Sequence, residues 1–244
     1  MRLLSTLAAT ATALPAVVLQ GVALPPAAAA SGVSITSYGH GALLIQGGGA
    51  RVLLNPFKAV GCAAGLAEPR VSASVILASS RLLDEGAPVA SGRFLADPGS
   101  FQVGGLRIEG LSTPRDRVGG RRFGRATLWR WQQGGLSFVH MGGTAGPLSP
   151  ADKVMLSRPD VLILGVGGGA KVFNGGEAAE VVRELRPRVV IPVQYVSGAV
   201  PAGCDQGSVE PFLQAMGGTP VQRPGRTVNL STGLGEGPVI KVLR

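Results

Sequence analysis

The sequence predicts an α/β fold in a single domain, with sheets covered by helices, and three observations carry that prediction. Short apolar runs separated by turn residues crowd the first half of the chain. Strand-length apolar runs alternate with helical periodicity in the second half. The 244 residues, 45% of them apolar, suffice for a sizeable core. With 38 glycines and 18 prolines the elements must be short and the turns many.

Residues 1–30 read differently from the rest. Arg2 is the only charge, an apolar stretch runs from Leu3 to Leu24, and Ala28 and Ala30 stand where a signal peptidase needs small residues. This divides the chain into a signal peptide, 1–30, and a domain, 31–244. The alternative is an uncleaved anchor, since roughly 20 apolar residues span a bilayer, although Pro15 and Gln20 weaken a spanning helix. Export to the periplasm, a thylakoid lumen or the exterior is the expectation, with membrane association only if the leader stays. In an oxidising compartment Cys62 and Cys204 either pair or remain two unrelated loop thiols.

From Val33 the strands follow in order: VSITSY, ALLIQ and ARVLLN form a meander turning at Gly47 to Gly49, then come SVILAS, GRFLA, FQV, LRIEGLS, ATLWRW and LSFVH. Alternation in LRIEGLS and ATLWRW predicts strands with one wet face. Ser149 before Pro150 marks the start of a helix. DVLILGVGGG reads as a buried strand entering a glycine turn, and it lacks the spacing of a nucleotide loop. The spacing of Ala179, Val182 and Leu185 predicts a helix ending before Pro187. RVVIPV is a further buried strand, a helix is expected over roughly Ser208 to Met216, and two strands close the chain around Thr227 to Leu230 and Val239 to Leu243.

The formal charge is +9. Arg115, Arg117, Arg121, Arg122, Arg125 and Arg130 lie within Thr113 to Trp131, opposed there only by Asp116. A basic loop of this kind is either a solvated face or suits an anionic small molecule or an acidic partner, in which case Arg115, Arg121, Arg122 and Arg125 are its candidate ligand-binding residues. A nucleic-acid partner is not expected of an exported chain. Trp129 and Trp131 share a strand face, where they either stack a base or sugar or pack in the core.

YGHGALLI, VLLNPF, VILASSRLLDEG, LSFVHMGG, DVLILGVGGG and VVIPVQYV, in this order and spacing, resemble the metallo-beta-lactamase superfamily, specifically its UlaG-like, metal-dependent hydrolase branch. The resemblance covers nearly everything from Val33 onward. It implies an αββα sandwich, two mixed sheets with helices on both outer faces, and an active site at strand ends along one edge.

The resemblance also implies a zinc site built on H-x-H-x-D-H, and here the sequence departs from it. The histidine positions fall on Ser80, Leu82 and Glu85, and the aspartate on Asp84. In the later H-x-G-D motif His140 is kept but Gly143 replaces the bridging aspartate, and in I-P-x-H-Y the histidine is Gln194. Arg115 replaces a histidine in TPRDR, and Asn55 stands where relatives have aspartate. Zinc needs imidazole nitrogens and carboxylates converging at about 2.0–2.2 Å. Two histidines in the whole chain, His40 and His140, are too few for a conventional dinuclear centre.

The expectation is therefore a catalytically degenerate, exported binding or scaffold protein without cofactor, whose vestigial edge is Ser80, Asp84, Glu85, His140 and Gln194. The alternative is a hydrolase with a mononuclear site of His140, Asp84 and Glu85, with Gln194 as a weak fourth ligand. His40 is expected to be a turn residue, and Asp84 to cap its loop by accepting backbone N–H groups.

Overall fold

The structure, a computed structural model, describes residues 32–244, so the expected signal peptide lies outside the described residues. The first strands are β1 (Val33–Gly39), β2 (Ala42–Gly47), β3 (Ala50–Leu54), β4 (Ser72–Leu77) and β5 (Ser91–Leu95). Next come β6 (Gly99–Val103), β7 (Leu106–Pro114), β8 (Arg125–Gln133) and β9 (Leu136–His140). The second half runs α1 (Pro150–Met155), β10 (Val161–Gly165), α2 (Gly175–Leu185), β11 (Val189–Val193), α3 (Glu210–Ala215), β12 (Val221–Gly225), β13 (Thr227–Leu230) and β14 (Val239–Leu243). They build two mixed sheets, six strands ordered β13-β1-β2-β3-β4-β5 and eight ordered β12-β14-β11-β10-β9-β8-β7-β6.

The main core lies between the sheets. Ile35, Leu43, Ile45, Val52, Leu54, Val75 and Leu77 from the smaller sheet meet Ile108, Trp129, Phe138, Ile163 and Ile191 from the larger. A second core joins the outer face of the larger sheet to the helices, where Leu162, Leu164 and Val190 pack with Ala178, Val182, Leu185 and Phe212. β10 and β11 are buried on both faces, as parallel strands under helices must be, which is why they read as unbroken apolar runs. The outer face of the smaller sheet carries a small cluster of Leu44, Leu53, Ala73 and Ile76 with Tyr38, Val71, Ala90 and Phe94 packed on them, and among the described residues no α-helix contributes to it.

Helix α1 begins with Ser149 as N-cap and α2 with Asn174, each in a reciprocal capping box, with Asp152 and Glu177 respectively. The third helix, Glu210–Ala215, is shorter than expected. β8 departs from the one-wet-face reading. Ala126, Thr127, Leu128 and Trp129 are all buried, because this strand sits centrally in its sheet with both faces covered. Trp129 and Trp131 belong to the inter-sheet core, Trp131 stacked on Phe138 at 5.0 Å, so neither is offered to a base or sugar. β12 went unread because it is exposed and contains Pro224, both marks of an edge strand.

β8 also clasps the two sheets through polar contacts. Gln133, 2% exposed, donates from Nε2 to the carbonyls of Gly47 and Ala50 at 3.0 Å and accepts from Trp131 Nε1. Trp129 Nε1 donates to Ala78 O at 3.0 Å and Thr127 Oγ1 to Ala96 O at 2.7 Å. Replacing Gln133 by Leu strands buried carbonyls and should destabilise the protein by about 2–3 kcal/mol in urea titration. A change below about 0.5 kcal/mol would show that the clasp contributes nothing.

Candidate functional site

At one edge the C-terminal ends of β3, β4, β9, β10 and β11 meet. β3 runs into Asn55, which is buried and held at φ 37°. Its Oδ1 accepts from Ser79 N at 2.8 Å and its Nδ2 donates to Ser79 Oγ at 3.0 Å. After β4 the chain closes a turn in which Glu85 N and Gly86 N both donate to Leu82 O, at 3.1 and 2.7 Å. The turn drives Glu85 inward, 4% exposed, and leaves Leu82 38% exposed. Beyond β11, Gln194 is buried at φ 51°, and its N–H donates to the carbonyl of His40, itself at φ 49°. His40 is thus an anchor for the Gln194 turn, with its ring edge-on to Phe57.

Glu85 is the centre of the site. Its Oε1 accepts from Ser80 Oγ at 2.7 Å and from the Arg115 guanidinium, and its Oε2 accepts from Gln194 Nε2 at 2.8 Å. Both partners of the ion pair are buried, with side chains 3% and 5% exposed. Any Cβ on Gly143 would overlap the Glu85 carboxylate. The acid that the resemblance assigns to position 143 is therefore supplied in space by Glu85 from the opposite sheet. Burial pulls the Arg115 guanidinium down to about 10, against the attraction of Asp84, so it remains a cation at neutral pH.

The residues at this edge do not fit a zinc pair. The best-placed carboxylate is already engaged by a guanidinium, an amide and a hydroxyl. Gly143 cannot receive a side chain without displacing Glu85. The mononuclear set fares no better, because among the described residues no three His, Cys, Asp or Glu side chains lie together where they could hold a metal ion. His140 continues the inward face of Leu136 and Phe138, fully buried, and neither ring nitrogen has a hydrogen-bond partner among the described residues. Burial lowers its pKa to about 3. No serine–histidine pairing forms, since Ser80 turns to Glu85 and Ser79 to Asn55.

The arginine loop also differs from its sequence reading. Arg115 is an interior residue and unavailable to an anion from solvent, whereas Arg121, Arg122 and Arg125 are exposed. Arg117 grips Glu177 through two hydrogen bonds of 2.7 and 2.6 Å and also donates to the carbonyls of Gly169 and Val172. Asp116 organises the loop. Burial pushes its carboxyl upward, and N–H donation from Phe123, Gly120, Arg122 and Val118 overrides this and holds it below the usual carboxylate range. That is the capping role expected of Asp84, whose side chain instead lies beside the short helical turn at Gly61. Cys62 and Cys204 are joined by a disulfide with Cα atoms 4.7 Å apart, beside a cavity of about 310 Å³ that His40, Tyr195 and Arg244 also line.

The Arg115–Glu85 pairing was missed because the two were read separately, one as a surface cation and one as a displaced ligand. Nothing local in the sequence signals the pair, because Glu85 follows β4 in the smaller sheet and Arg115 follows β7 in the larger. Arg115→Met alone leaves a buried carboxylate uncompensated and should cost about 3–5 kcal/mol, whereas Glu85→Leu with Arg115→Met should recover most of that loss in urea titration. Equal losses in the single and double variants would remove the pair from its central place. The folded pKa of His140, about 3, lies below its unfolded value of 6.5, and that of His40, about 4, does too. The unfolded chain therefore binds more protons between those limits. Stability should be flat above pH 6.5 and fall below it, by up to about 1.4 kcal/mol per pH unit per histidine. His140→Gln should remove one histidine's share of that slope, and an unchanged slope would contradict it.

Residues 34–194 match the family model described as beta-lactamase superfamily domain. No curated protein matches the chain. Among solved structures, one assigned as a Zn-dependent hydrolase of the metallo-beta-lactamase superfamily from Thermotoga maritima superposes with TM-score 0.69 at 23% identity, covering 87% of this chain and all of its own. A protein assigned as a metal-dependent hydrolase from Parabacteroides distasonis gives 0.58 at 16% identity, covering 76% of this chain and 89% of its own. The metallo hydrolase Igni18 of Ignicoccus hospitalis gives 0.58 at 18%, covering 82% and 99%. Identities this low establish the fold alone. The family match over most of the chain, together with the two-sheet architecture, shows that this protein belongs to the metallo-beta-lactamase superfamily.

Proposed function

We propose that this is an exported metallo-beta-lactamase-fold protein whose hydrolytic centre has been replaced by an internal ion pair, and that it acts as a binding or scaffold protein. The observation that carries the reading is the buried Glu85–Arg115 pair, completed by Ser80 and Gln194, at the edge where the family's metal chemistry resides. A guanidinium supplies positive charge but has no coordination position to offer. It cannot lower the pKa of a bound water as zinc does. Ser79 and Asn55 satisfy one another beside it, so no side chain there is poised as a nucleophile.

The disulfide between Cys62 and Cys204 is in keeping with an oxidising compartment. The exposed Arg121, Arg122 and Arg125 give the loop after β7 and the start of β8 the charge to meet an acidic partner. Protein purified from its own host without added metal should contain no stoichiometric zinc and should be inert towards phosphodiester, lactone and beta-lactam substrates. Its N-terminal residue should be Ser31. A full zinc complement with turnover would reject the reading, and an intact leader would reject the export component.

A further inference from the structure

The parallel strands β9, β10 and β11 have two ends, and the second end carries open space of its own. There, about 16 Å from the Glu85 centre for strands of this length, lies a cavity of about 800 Å³ lined by Arg158, Arg183, Arg186 and Arg188 against the carboxylates Asp160 and Glu236. Its size falls in the range that holds small molecules. Arg158 also lines an adjoining cavity of about 710 Å³, together with Arg107 and Arg130.

The partners of these groups separate them. Asp160 accepts from Ser137 N and Oγ, both at 2.8 Å, and lies 3.5 Å from Arg188. Arg183 donates to Ala215 O at 2.6 Å. Among the described residues the guanidinia of Arg158 and Arg186 have no hydrogen-bond or ion-pair partner within the protein, and both are exposed to the cavity. Two arginines with unengaged guanidinia line one cavity in which the Asp160 carboxylate is already occupied, an arrangement suited to the oxygens of a phosphoryl group.

The backbone gives an independent sign. The described residues include five non-glycine positions at positive φ. His40, Asn55 and Gln194 belong to the site edge, and the other two are Arg158 at 54° and Arg186 at 51°. Arg186 ends α2 in the left-handed conformation, where glycine is the favoured residue. The two are coupled, since Arg158 N donates to Leu185 O at 2.6 Å. Strain of this kind persists where the side chain is needed. The negative end of the α2 dipole, about half a charge, opposes an anion here, but four guanidinia outweigh it and Arg158 and Arg186 N–H groups already cover the carbonyls of Leu185 and Val182.

We infer that this cavity is a binding site for a phosphoryl-bearing small molecule or headgroup, read by Arg158 and Arg186. The inference does not rest on the state of the Glu85–Arg115 centre. It is tested by titrating the full chain with inorganic pyrophosphate in a calorimeter, and in parallel with sedimenting vesicles of phosphatidylcholine containing phosphatidylglycerol. Saturable pyrophosphate binding points to a soluble ligand, and vesicle binding without it points to a lipid headgroup.

Arg158→Gly and Arg186→Gly are the informative variants, because glycine suits both backbones and should keep or raise the melting temperature. Each should weaken binding of the responding probe about tenfold or more. The pair R70Q/R93Q, which removes two charges on the smaller sheet's side against one in either glycine variant, should bind like the parent chain. No binding of either probe at millimolar concentration, full binding by folded glycine variants, or equal weakening in R70Q/R93Q would overturn the assignment.

Discussion

A buried ion pair joins the two sheets at the edge where this fold ordinarily does chemistry. Glu85 comes from the turn after β4 in the smaller sheet, Arg115 from the loop after β7 in the larger, and Gln194 from the end of β11. Taking both charges out of water is expensive, and only close geometry with additional hydrogen bonds to the carboxylate offsets it. Ser80 and Gln194 supply those bonds. A metal ion held by ligands from both sheets would provide the same mechanical link. Here the Arg115 guanidinium provides such a link through Glu85, and Arg115 Nε remains without a partner among the described residues.

The surrounding residues depend on this link. Asn55, His40 and Gln194 all sit in left-handed backbone at strand ends, each conformation disfavoured for a residue with a Cβ. They are held by one another: Asn55 by two bonds to Ser79, Gln194 by the His40 carbonyl at one end and Glu85 at the other. Gly143 N donates to Ser79 Oγ at 3.3 Å, which extends the network to the loop after β9. A larger residue at Gly143 would displace Glu85, and a free Glu85 would leave Gln194 and Ser80 without an acceptor. The edge is a set of mutually dependent polar contacts.

Sequence reading recovered what local periodicity encodes. β10 and β11 are legible because burial on both faces forces unbroken apolar runs, and α2 because its buried positions recur at helical spacing up to Leu185. β12 escaped because an exposed edge strand with Pro224 lacks both the alternation and the donor that define a strand. At the site, position by position comparison with the resembled motifs singled out Ser80, Asp84, Glu85, His140 and Gln194. It could not show that Glu85 and Arg115, thirty residues apart, neutralise each other, because that contact is made across the sandwich. Asp116 was likewise invisible, since its four N–H donors all come from a loop whose sequence reads only as basic.

The distribution of arginine follows from the same division between interior and edge. An arginine can enter the core only with a carboxylate already there, and Glu85 provides that for Arg115 alone. Arg117, Arg130 and Arg188 are held at the surface by Glu177, Glu109 and Asp160. With 23 basic against 14 acidic side chains in the chain, pairing cannot absorb every cation. Among the cations without an ion pair are Arg158 and Arg186, where a strand begins and a helix ends, on backbone that glycine would hold more easily. Helix-end electrostatics favours a cation at either place, but it does not require a left-handed arginine twice in one cavity. Ligand recognition gives both positions a reason to resist glycine.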